Sequence, residues 1–182
     1  EEFGSSAQDP EADSSRLRDY YSNEFLPRLN ANLDEHAELS TFWPTGSAIL
    51  ALQDLYLASN PNPTGEKHLL SAADDGSDYS RVHQKYHPII RDYLEKFGYY
   101  DIFLADPETG HIVYSDFKEV DFGTSLLTGP YAETNFGDVF RAASKADDKD
   151  FIDLADFAPY HPSYNGQASF IASPVFDEGG ER

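Results

Sequence analysis

Along residues 14–39 the apolar positions Leu17, Tyr20, Tyr21, Phe25, Leu29 and Leu33 recur at three- and four-residue intervals, a spacing that predicts an amphipathic helix. Ser14 or Ser15 caps its start, and Pro27 bends it by removing an amide donor and crowding the previous turn. This N-terminal helix is expected to be the longest, partly exposed along one side, and to lie against the sheet or a second copy of itself. Thr41 or Trp43 then sits where a cap belongs, and Pro44 fits a first helical turn. Residues 46–58, with Ile49, Leu50, Leu52, Leu55, Tyr56 and Leu57, predict a second, more buried helix. Asn60-Pro61-Asn62-Pro63-Thr64-Gly65 cannot continue it and reads as an ordered connector. A third helix is expected over residues 79–97, carrying the stripe Val82, Tyr86, Ile89, Ile90, Tyr93, Leu94 and Phe97 and kinked at Pro88.

At Gly98 the period changes from helical to strand-like. Tyr99-Tyr100-Asp101-Ile102-Phe103-Leu104-Ala105 predicts a strand, Asp106-Pro107-Glu108-Thr109-Gly110 a tight turn, and residues 111–117 the returning antiparallel strand. After a loop over 122–130, Asn135 caps a short helix with Phe136, Val139 and Phe140. Two more strands are expected over 151–158 and 168–176, and Asp177-Glu178-Gly179-Gly180 is a turn with no strand after it. The order predicts a single α+β domain with a long N-terminal helix and further helices packed on an antiparallel sheet. Its helical part covers 14–97 and its sheet part 98–182, one strand short of a full sheet. Residues 1–13 are expected to be a flexible terminus or a cloning remnant.

Composition narrows the function. The chain has 33 acidic against 13 basic residues, a formal charge of −20, which disfavours nucleic acid and anionic lipid as partners. That acidity reads as solubility in a salty setting ahead of an acidic docking surface. With no cysteine, neither a disulfide framework nor a thiolate metal site is possible. No apolar run approaches the roughly 20 residues a membrane-spanning helix requires.

A resemblance enters at the hairpin. Phe97-Gly98-Tyr99-Tyr100-Asp101-Ile102-Phe103-Leu104, Asp106-Pro107-Glu108-Thr109-Gly110 and Val113-Tyr114-Ser115 resemble the core hairpin of Cache-type, PAS-like sensors. Asp121-Phe122-Gly123-Thr124-Ser125-Leu126 with Gly129-Pro130-Tyr131 is similar to their pocket-side loop, and Ser169-Phe170-Ile171-Ala172-Ser173-Pro174-Val175-Phe176-Asp177 to their late strand. The resemblance implies a periplasmic small-molecule-sensing domain of a membrane receptor, such as a chemotaxis receptor, histidine kinase or nucleotide cyclase. It implies membrane anchoring through flanking segments, a homodimer through the N-terminal helix, and no enzymatic activity. A secreted hydrolase with acidic catalytic residues and a structural or adhesive domain are the alternatives from other classes.

Other chemistries leave weak traces. His83 and His87 are four apart on a predicted helix, a zinc spacing, yet Gln84 stands where a metalloprotease carries glutamate and no third ligand follows. They read as exposed or core-edge histidines. Asp74, Asp75, Gly76 and Asp78 do not meet calcium-loop order and read as a helix-capping turn. No nucleophile elbow, Walker loop or dinucleotide loop occurs, so no cofactor is expected. The candidate ligand-binding set is Tyr99, Asp101, Tyr114, Asp116, Lys118, Tyr131, Asp156, Tyr160, Tyr164 and Ser169, in a pocket between the sheet and segments 122–131 and 159–166. Asp156 and Tyr114 resemble pocket positions of the family. Lys118 would receive a carboxylate and Asp101, Asp116 or Asp156 an amine, so an organic acid, an amine or an amino acid would fit. Alternatively, Lys118 pairs with Glu119 or Asp121 at the surface.

Overall fold

The computed structural model describes residues 14–180, so the expectation of a flexible terminus over 1–13 lies outside the described residues. Helix α1 runs through Ser15–Tyr20, a π turn over Tyr21–Phe25, and Leu26–Asn30. The π turn lies just before Pro27, which has no amide to give the preceding turn, and takes the place of the expected bend. The helix stops at Asn30, whose side chain binds both the amide and the carbonyl of Ala37. It is thus shorter than expected, and its stripe of Leu17, Tyr20, Tyr21, Phe25 and Leu29 is fully committed to the core.

A short turn of helix α2 (Leu39–Phe42) and helix α3 (Ser47–Gln53, continued by a π turn over Asp54–Ala58) complete the N-terminal half. Pro44 precedes α3 and is not its first turn; the helix begins after Gly46, whose φ of 104° suits a residue without a β-carbon. The connector is ordered, as expected: Asn60 donates to the Tyr56 and Lys67 carbonyls, and the buried Lys67 ammonium donates to the Asn60 carbonyl.

Helix α4 (Asp78–Phe97) is the longest, with 20 residues. Ser77 caps it through the Ser80 amide, and Gly98 ends it in the left-handed conformation. Of its expected stripe only Leu94 is buried, and Ile90 is half-buried. Val82, Tyr86, Ile89, Tyr93 and Phe97 are exposed, while Ser80, His83, His87 and Leu94 face inward.

Strands β1 (Phe103–Ala105) and β2 (Ile112–Ser115) form the expected hairpin, pairing Phe103 with Ser115 and Leu104 with Tyr114. The turn is closed by the Asp106 carboxylate, which accepts from the Glu108 and Thr109 amides and the Thr109 hydroxyl. Residues 99–102 carry a strand pattern but form no ladder, so β1 is shorter than the apolar run. Helix α5 (Asn135–Ala143) is capped by Thr134 and not by Asn135. Asn135 instead donates to the Asp156 and Ala168 carbonyls, tying α5 to β3 (Asp153–Tyr160) and β4 (Gly166–Ala172). Among the described residues the result is α+β with five helices and two small antiparallel sheets, β1-β2 and β3-β4, where a single sheet was expected.

Candidate ligand site

Strands β1 and β4 bound a groove of about 940 Å³, and every residue of both strands lines it. Each strand pairs with only one neighbour, so both present an open edge to the groove. The floor is aromatic: Phe136 of α5 stacks on Phe170 at 4.5 Å and lies 4.7 Å from Phe103, while Tyr160 meets Phe170 edge-on at 5.0 Å. At one end the lining becomes polar, with Tyr100, Asp101, Glu119, Tyr160 and Ser163.

That end is built around carboxylates. Glu119 accepts from the Tyr100 hydroxyl at 3.0 Å and from the Ser163 hydroxyl at 2.9 Å. Burial pushes its carboxyl up to about 8, and the nearby Asp121 charge adds to the rise. Behind it, Tyr160 donates to Asp121 Oδ2 at 2.7 Å. Asp121 is fully buried, and desolvation raises it to about 7 despite the Tyr160 hydroxyl, which pulls the other way. Among the described residues, Asp121 Oδ1 and the buried Tyr131 hydroxyl have no hydrogen-bond partner, and no basic side chain forms an ion pair with Glu119 or Asp121.

The backbone on both sides of Asp121 is held from the helical half. Gln53 of α3 donates to the Val120 and Phe122 carbonyls at 2.9 and 2.7 Å, and Tyr21 of α1 donates to Gln53 Oε1 at 2.8 Å. Phe42 stacks on Tyr131 at 6.2 Å in the core, and Tyr131 lies 5.9 Å from the Tyr160 ring.

A second polar centre lies under α4. The Lys118 ammonium sits 4.5 Å from the Tyr114 ring centroid, 5.1 Å from Phe122 and 5.7 Å from Tyr56, and donates to the Ser115 carbonyl. Burial pushes its pKa down, and the charges of Asp101 and Asp116 oppose that shift. Tyr114 donates to Asp116 Oδ2 at 3.0 Å and lies 2.7 Å from His87 Nδ1, while His87 Nε2 faces the His68 carbonyl at 2.7 Å. His83 stacks on His87 at 4.5 Å, and burial lowers it to about 3.

No family model, curated protein or solved structure matches this chain.

The sequence-derived set is divided between these places. Tyr99, Asp101, Tyr160 and Ser169 line the groove, Tyr99 and Ser169 as exposed residues. Asp101 is held by the Ser115 hydroxyl and the Asp116 and Phe117 amides, and burial raises its pKa. Tyr131 does not line the groove; it is buried in the core against Tyr160. Tyr114, Asp116 and Lys118 belong to the second centre, so Lys118 pairs with neither Glu119 nor Asp121 at the surface. Tyr164, at φ 55°, packs against Phe25 and Arg28 away from the groove. Asp156 does not reach the groove: the β3-β4 register shifts between Ala155 and Ala158, leaving it exposed and bonded to the Phe157 amide. Segment 159–166 contributes Tyr160, Ser163 and Gly166 to the lining, whereas segment 122–131 contributes none.

The paired histidines are buried, not exposed, and no group of three or more His, Cys, Asp or Glu side chains among the described residues is placed to hold a metal. The acidic turn caps α4 through Ser77, as expected. Glu119, Asp121, Tyr100 and Ser163 were missed. In a chain with 33 acidic residues nothing in the sequence separates these two carboxylates from the solvated ones.

Proposed function

We propose that this chain is a small-molecule-binding sensor domain of the PAS-like, Cache type from the extracytoplasmic side of a membrane receptor, and that its ligand carries a protonated amine. The observation that carries this reading is the pair Glu119 and Asp121. Both are driven toward the neutral form by burial, and no cation is set against them among the described residues. Sites that bind ligands combine apolar walls with a few placed polar groups, and a lone acidic end in an aromatic groove selects a positive charge on an apolar body. The arrangement of a helix leading into a hairpin, with a second pair of strands after a short helix, supports the Cache-type comparison. Membrane spans flanking this segment in its parent gene would support the receptor context, and a signal peptide with a stop codon after Arg182 would oppose it.

The test is a thermal-shift screen of arylalkylamines, aliphatic amines, amino acids and organic acids. A ligand at about 100 times its dissociation constant adds about 2.7 kcal/mol of stability. Amines should stabilise the protein, and Glu119→Gln should abolish the shift. Hits confined to organic acids, or an amine response untouched by Glu119→Gln, would reject the reading. A second reading rests on the two open strand edges: an extended peptide could pair with β1 or β4, and would be recognised by backbone hydrogen bonds, with no requirement for a positive charge.

A further inference from the structure

Helix α4 is inverted relative to the usual amphipathic helix. Its inward face carries Ser80, His83 and His87, whereas Val82, Tyr86, Ile89, Tyr93 and Phe97 are 56, 46, 63, 50 and 57 % exposed. These five recur at steps of four, three, four and four residues, the spacing of a helix-pairing seam, over about 22 Å of helix at 1.5 Å per residue. An uninterrupted apolar seam of this length in water marks an interaction surface. The α1 stripe, by contrast, is already buried in the core and leaves no equivalent face for pairing.

We propose that two copies of this chain associate through α4, seam to seam and antiparallel, across a two-fold axis that passes the helix at about the level of Pro88. The charge pattern selects the second copy and the direction. Lys85 and Asp92 lie one heptad apart along the same edge of the seam. In an antiparallel pair Lys85 meets Asp92 of the partner subunit, and the symmetry makes that ion pair twice. In a parallel pair each of these two positions faces residue 90 or its heptad equivalent across the seam, and Ile90 offers no charge. The apolar layers are self-complementary as well, with Val82 near Tyr93 of the partner subunit and Tyr86 near Ile89 of the partner subunit.

Sedimentation of the chain over a wide concentration range tests this, at enough salt to screen the repulsion between two acidic copies. A reversible dimer is expected. Ile89→Asp, at an exposed position, should leave folding intact by circular dichroism and abolish the dimer. Lys85→Glu should weaken it at least tenfold, and the charge swap Lys85→Glu with Asp92→Lys should restore it. The proposal fails if the chain is monomeric throughout, if the dimer is indifferent to Ile89→Asp, or if the charge swap does not restore what Lys85→Glu removes.

Discussion

Replacing Asp121 by asparagine should flatten an unusual pH dependence of stability. The carboxyl is pushed up to about 7 in the fold against 3.8 ordinarily, because it is fully buried and the Tyr160 hydroxyl offsets that desolvation only in part. Between those values the folded protein holds a proton that the unfolded chain has released, so the native state binds more protons and stability falls as pH rises. A displacement of about three units at 1.36 kcal/mol each is a penalty of about 4 kcal/mol, absent below about pH 4 and complete above about pH 7. Glu119 contributes in the same direction up to about pH 8. Asp121→Asn keeps an acceptor for Tyr160 but leaves an extra buried donor, at a cost of about 1–3 kcal/mol. The variant should therefore be no more stable than the parent near about pH 4.5, and more stable by about 1–3 kcal/mol near about pH 8.5. Urea denaturation across that range, in salt high enough to screen the general acidic repulsion, measures the difference. An identical slope in parent and variant would refute the reasoning, as would a parent whose stability climbs from acid to neutral pH.

Two further perturbations probe the scaffold. Lys118→Ala removes the buried cation flanked by Asp101 and Asp116, and should cost about 3–5 kcal/mol in chemical denaturation; a loss under about 1 kcal/mol would show that the ammonium is solvated. Gly137→Ala places a β-carbon against the Ala132 carbonyl at the start of α5, and should lower stability by about 2–4 kcal/mol, read as a fall in Tm; an unchanged Tm would mean that α5 shifts freely.

Local chemistry was legible in the sequence, and packing direction was not. The Asp106 turn and the Ser77 and Gly98 boundaries of α4 follow from side chains that bond or permit their own backbone, so a sequence shows them directly. The period of α4 was equally plain, but periodicity states that a stripe exists and not which way it points. Here two histidines and a serine fill the inner face through hydrogen bonds to Ser71, Tyr114 and Tyr56. Residues 99–102 have strand composition without a strand partner, so β1 was read too long. Of the candidate site, Asp101 and Tyr160 were found because they sit beside strands. Glu119 and Asp121 were not, since burial of a carboxylate is decided by distant elements such as Gln53 and Tyr21.

The Gln53 amide has a consequence for how the chain comes apart. It is the buried cross-brace between the helices that come first and the segment Val120-Asp121-Phe122 that comes much later, and Tyr21 locks its orientation. Neither side can leave alone without breaking the bonds that Gln53 makes to the Val120 and Phe122 carbonyls. Local opening along this seam therefore costs these buried hydrogen bonds in addition to the packing around them. The amides of α1 and of the strands should exchange with solvent deuterium at one common rate, as a single cooperative unit.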